Sequence, residues 1–263
     1  MLLPEVAPLA VTRRAARRAG LLMLLAVIAP LGAAPWGAAK SDEAARRELK
    51  YQDLLRLSGD RLGRGMLPEA LRYARSAQKV LPAQPDALTL QAVILAEQGA
   101  SEAAGQAYRR AAELAPGSGD VLNNYGAWLC GQGHAAEALV WFDRAIGAES
   151  ASGRASALAN AGGCALQAGQ YERAERDLRQ ALALMPDNAY ALESMARSEF
   201  ELGRYLEARA FSQRRLAAAP ATISVLQLAI HIEDRLGDSS ASSLYQQRLR
   251  DEFPVPAAAN PQG

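Results

Sequence analysis

The stretch "NNYGAWLCGQGH", residues 123–134, decides how the chain is read, because it sets two chemically capable residues, Cys130 and His134, in a run of turn formers. A catalytic cluster occurs once, whereas structural punctuation returns at a fixed period. Gly133 returns: Gly65, Gly99, Gly133, Gly169, Gly203 and Gly237 are separated by 34, 34, 36, 34 and 34 residues. Leu54, Leu88, Leu122, Leu158, Leu192 and Leu226 keep the same spacings eleven residues earlier. Five residues after each glycine comes a small side chain, at Ala70, Ala104, Ala138, Ala174, Ala208 and Ser242. Twelve residues further stand Pro82, Pro116, Pro186, Pro220 and Pro254, with Ser150 where the sixth proline would be.

Each mark has a physical reason. Glycine ends a first helix where the backbone turns left-handed, alanine lets a second helix approach the first, and proline stops the second helix for want of an N–H. A 34-residue unit in this order resembles the tetratricopeptide repeat (TPR), in six units: 51–84, 85–118, 119–152, 155–188, 189–222 and 223–256. The resemblance implies an all-α fold, a right-handed TPR superhelix of six helix-turn-helix repeats, with a concave face built mainly by the first helix of each pair. Gly153 and Arg154 are extra residues, so "GAESASGRAS" (147–156) is expected to be a longer, mobile loop.

Composition agrees with a helical reading, since apolar residues are 50% of the chain and aromatics only 6%. A net charge of +1, with no basic block beyond the N-terminal region, argues against nucleic acid as a partner. Arg13, Arg14, Arg17 and Arg18 precede the apolar run "LLMLLAVIAPLGAA" (21–34), the plan of a signal peptide over residues 1–39 with a cut after Ala39 or Ala34. An uncleaved N-terminal anchor is the alternative, and in both cases the bulk of the chain faces an extracytoplasmic space. Residues 40–50, "KSDEAARRELK", read as a charged lead-in able to extend the first helix, and 257–263 as a disordered tail.

No Walker loop, dinucleotide glycine loop, G-x-S-x-G elbow or H-E-x-x-H is present, so neither catalytic residues nor a cofactor are expected. Zinc would need about four ligands. With two cysteines and two histidines scattered over three units, no metal site is expected. His134 falls in the turn between helices and reads as solvated. Cys130 and Cys164 lie on adjacent first helices at repeat positions 12 and 10, which either meet across the groove or point apart. An oxidising compartment makes the disulfide the expectation, worth about 3–4 kcal/mol for a loop of this length. The concave positions offer Asn123, Tyr190, Arg197, Phe200 and His231 as the partner-binding groove, suited to an extended or helical peptide. Asn123 would capture peptide backbone. Tyr190 and Phe200 either anchor the partner or cover the seam between units. Replacing Tyr190 and Arg197 together is expected to weaken binding without affecting melting.

Three segments carry a narrower resemblance: "NNYGAWLCGQGHAAEALVWFDRAI" (123–146), "ALANAGGCALQAGQYERAERDLRQAL" (157–182) and "LGDSSASSLYQQRLRDEFP" (236–254). They resemble the type IV pilus biogenesis/stability proteins of the PilF/PilW kind. That resemblance implies a periplasmic six-repeat pilotin, acting on a secretin subunit or another pilus-assembly protein at the outer membrane. The cysteine pair and the longer step between units three and four fit it. Members are usually lipoproteins with a Leu-small-small-Cys box, whereas here Leu31, Gly32 and Ala33 are followed by Ala34. With no lipobox Cys at that place, membrane association is expected to be indirect. A general periplasmic TPR scaffold for another envelope complex is the alternative function.

Overall fold

The computed structural model describes residues 36–148 and 151–254, which divide between Ala115 and Pro116 into two compact units. The signal-peptide reading falls outside these residues except for its last four, and the tail reading falls outside them entirely. Every regular element among the described residues is an α-helix, as the repeat implies. The first unit holds α1 (Trp36–Leu62), α2 (Leu67–Val80), α3 (Asp86–Glu97) and α4 (Ser101–Leu114). The second holds α5 (Gly119–Gly131), α6 (Ala135–Ile146), α7 (Ala151–Gln167), α8 (Tyr171–Leu184), α9 (Ala189–Glu201), α10 (Tyr205–Ala218), α11 (Ile223–Leu236) and α12 (Ser239–Glu252). Residues 40–50 belong to α1, which starts at Trp36 and so reaches 27 residues.

The periodic residues do the work their chemistry suggests. The six periodic glycines all have φ between +69° and +84°, where a side chain would be strained. At the type example, Gly133 N donates to the Cys130 carbonyl and His134 N to the Leu129 carbonyl, each at 2.9 Å, a Schellman closure that satisfies the helix's last carbonyls. Second helices α2, α4, α8, α10 and α12 each stop two residues before their proline. The residue two after the proline then caps the next first helix: Ser118, Asn188 and Thr222 accept from Val121, Ala191 and Val225 N.

The step between α6 and α7 corrects the expected loop. Gly153 and Arg154 are helical, and α7 is 17 residues long where α5 and α9 have 13. The insertion is absorbed as extra turn at the start of a first helix. Arg154 Nε donates to the Ile146 carbonyl at 3.1 Å, so the cation supplies a partner to a carbonyl at the end of α6 where no proline follows.

Within the second unit, α5, α7, α9 and α11 touch in sequence, while α6, α8, α10 and α12 pack only on first helices. The first helices therefore form one layer. Close approach between layers depends on absent side chains: Ala70, Ala104, Ala138, Ala174 and Ala208 are wholly inaccessible. Leu122, Leu158, Leu192 and Leu226, at most 3% exposed, fill the seams between units. A methyl group on Gly126 would come within 2.9 Å of the Phe142 ring, and one on Gly162 would run into Leu178 and approach the Ala174 carbonyl at 3.1 Å. Gly162→Ala should therefore lower stability by about 1–3 kcal/mol, the usual cost of overpacking. Gly131→Ala, which meets nothing within 4 Å, should be neutral or mildly stabilising. Urea unfolding of the two variants beside the parent checks the pair.

Candidate functional site

The expected groove residues lie on α5, α9 and α11 of the second unit's first-helix layer, and they fall into three separate places. Asn123 on α5 is half-buried, and its Oδ1 accepts from Asn160 Nδ2 on α7 at 3.0 Å. One end of the amide is thus committed to a neighbouring helix. Close by, Cys130 and Cys164 form a disulfide with Cα atoms 5.9 Å apart, joining α5 to α7. The two residues are 8% and 1% exposed, so the bond is sheltered from reductant.

Tyr190, at the start of α9, lies across Gly163 on α7, its ring filling the space a side chain there would take. It packs against the cluster of Leu158, Leu178, Leu192 and Met195. Burial pushes its hydroxyl pKa above the ordinary tyrosine value, partly offset by a hydrogen bond with Ser194. Of the two readings of Tyr190, the geometry favours seam covering. The expectation that the Tyr190–Arg197 double replacement would leave melting unchanged is corrected accordingly: removing this ring would open a cavity. Arg197 is exposed and pairs with Glu193 at 3.6 Å. Glu193 also faces Arg215 Nε at 3.6 Å and accepts from Ser224 Oγ at 3.3 Å, knitting α9, α10 and α11 together.

Phe200 and His231 meet across α9 and α11, ring centroids 6.5 Å apart, and Phe200 also tilts against Tyr205 at 5.5 Å. Phe200 rests on Ala196, Ala208, Leu228 and Ile232, whereas His231 is exposed. Arg197 and His231 are thus the two expected residues with side chains open to a partner. His134 stands exposed at the N-terminal cap of α6 without a side-chain capping bond. Among the described residues no group of three or more His, Cys, Asp or Glu is placed to hold a metal ion.

Sequence reading missed the buried carboxylates. Glu199 and Glu233, each 2% exposed, occupy position 11 of units five and six, where units two to four carry Leu95, Leu129 and Ala165. Arg204 reaches Glu199 at 3.1 Å, and Arg209 on α10 grips Glu233 on α11 with a two-pronged contact. The hydrogen bond to Glu233 raises the Arg209 pKa above its already high ordinary value. Asp177 on α8, likewise buried, is held by Arg173 and Arg176, and Arg173 reaches on to Asp143 of α6 at 2.6 Å. The available signal was an acid at a repeat position that elsewhere is apolar, with an arginine five residues later or in the preceding second helix.

The disulfide closes a loop of 34 residues between two helices that already pack together. The Cys130→Ser/Cys164→Ser protein should lose about 3–4 kcal/mol of stability in denaturant. Thiol labelling of the unfolded, unreduced parent should find no free cysteine.

Two tetratricopeptide-repeat family models match residues 55–119 and 165–229. Among solved structures, PilW, described as a widely conserved type IV pilus biogenesis factor, superposes with a TM-score of 0.70 at 25% identity, covering 78% of this chain and 94% of PilW. PilF of Pseudomonas aeruginosa gives 0.69 at 23% identity, covering 79% and 94%. Cellulose synthase operon protein C of Pseudomonas fluorescens (strain SBW25) is 29% identical over 192 residues, 71% of this chain, which spans 15% of that relative's length. With its six left-handed glycines, paired helices and matched segments, the chain carries tetratricopeptide repeats and has a fold similar to that of PilW.

Proposed function

We propose that the chain is a type IV pilus biogenesis factor, a pilotin-like scaffold that promotes assembly or stability of the outer-membrane secretin from the periplasm. The observation that carries this reading is the match to PilW over nearly all of PilW's length, rather than over isolated repeats. The signal-peptide plan of residues 1–39 and the sheltered disulfide suit an oxidising, extracytoplasmic place. Recognition falls to a protein surface: a repeat solenoid presents stacked first helices, and partner energy concentrates in a few anchors. Arg197 and His231 are the open positions, whereas Asn123, Tyr190 and Phe200 are half-buried.

A second reading, a scaffold for another envelope complex, is favoured by the likeness to cellulose synthase operon protein C, whose client need not be a pilus part. Capture of a secretin by the immobilised protein separates the two. The parent should retain the secretin, and Arg197→Ala/His231→Ala should weaken retention by about 1–3 kcal/mol, a hot-spot pair, with melting unchanged because both side chains are exposed. Retention by the parent with no loss in the variant moves the contact off this face. No retention by either protein favours the second reading.

A further inference from the structure

The outer face of α2 carries a feature that the proposed function does not use. Arg72, Arg75 and Lys79 are all exposed and spaced i, i+3, i+7, which sets them in a row about 10 Å long on one side of the helix. They line a shallow groove of about 380 Å³ with Pro68, Leu71, Ser76 and Gln98, the last at the end of α3. Arg47 on α1 extends the row, since its Nη2 donates to the Val80 carbonyl at the end of α2, 2.9 Å away. Among the described residues the ion pairs belong to other side chains, so no carboxylate neutralises these four cations. The surrounding sequence amplifies the row: residues 36–115 carry 12 Lys and Arg against 10 Asp and Glu, a net +2. Residues 116–254 carry 13 against 17, a net −4.

We propose that this row is a membrane-contact surface that binds anionic phospholipid headgroups. The side chains decide between a lipid surface and an acidic peptide. A peptide site needs cations held in fixed positions by neighbouring acceptors, because preorganisation supplies much of its affinity. Here none of the four cations has a carboxylate to hold it: Arg47 is tied only to the Val80 carbonyl, and Arg72 only leans over the neighbouring Tyr73 ring at 4.9 Å. Long, unfixed cations over an apolar floor of Pro68 and Leu71 suit an array of phosphates that has no fixed geometry of its own. The groove lies within the first unit, and Arg197 and His231 lie in the second, so the two proposals rest on different residues. The proposal stands whether the client is a secretin or another protein.

Sedimentation of the full chain with vesicles tests it, using phosphatidylcholine with and without phosphatidylglycerol. Neutral vesicles account for any insertion of the apolar run at 21–34. The parent should favour anionic vesicles, and that preference should fall in high salt. Arg72→Gln/Arg75→Gln/Lys79→Gln should reduce anionic-vesicle partitioning on the order of fivefold per cation. Arg72→Lys/Arg75→Lys, which keeps the charge, should retain it. Arg110→Gln/Arg179→Gln, which removes two arginines already paired with Glu113 and Glu175, should also retain it. Equal binding to both vesicle types overturns the proposal, as does a preference indifferent to the triple replacement or lost in the charge-conserving variant. If the triple variant keeps its vesicle preference but loses a poly-glutamate peptide that the parent holds, the occupant is an acidic protein segment and the lipid assignment fails.

Discussion

The rest of the structure depends on how closely two helices can approach within a pair. At the crossing, the second helix contributes Ala70, Ala104, Ala138, Ala174 or Ala208, each without exposed surface. In the third and fourth units the allowance is tighter still, since Phe142 and Leu178 occupy the space that a methyl on Gly126 or Gly162 would need. Only at that separation do the seam leucines of successive first helices interlock. In the first pair the contact is polar as well as close: Ser58 Oγ donates to the Ala70 carbonyl at 2.8 Å.

Electrostatics in the second unit follow from the same layering. A residue at position 11 of a first helix is covered by a neighbour, so placing Glu199 and Glu233 there requires an arginine to follow. Arg204 and Arg209 meet that requirement differently, one from the turn of the same pair and one from the second helix of the preceding pair. The second arrangement gives the junction of the last two pairs a directional contact where α9 and α11 touch only lightly. The shared Glu193 of Arg197, Arg215 and Ser224 acts at the same junction.

The fold was legible because its requirements are local and repeated. A left-handed residue, a helix stop and a small contact each narrow the choice of amino acid to one or two types, and six copies make the pattern unmistakable. Ser150 marked the irregular junction, but the sequence did not tell that Gly153 and Arg154 would join α7. Helix continuation there depends on Arg154 reaching back to Ile146, a contact between segments eight residues apart. The binding face was less legible. Position number predicts which way a side chain leaves the helix, not what stands opposite: Tyr190 reaches the inner layer as expected but finds Gly163 and settles onto it. Asn123 likewise finds Asn160. Arg197 and His231 stay exposed, the first beside Glu193 of its own helix and the second against Phe200.

The Cys130–Cys164 bond also changes how the second unit would bear load. Tension drawn along the first-helix layer by an attached partner passes from α11 to α9 and from α9 to α7 through side-chain packing and ion pairs, which yield at rates set by their unfolding barriers. From α7 to α5 it passes through a covalent link. Stretching is thereby confined to the C-terminal pairs, while the third and fourth pairs behave as one rigid clamp under pull.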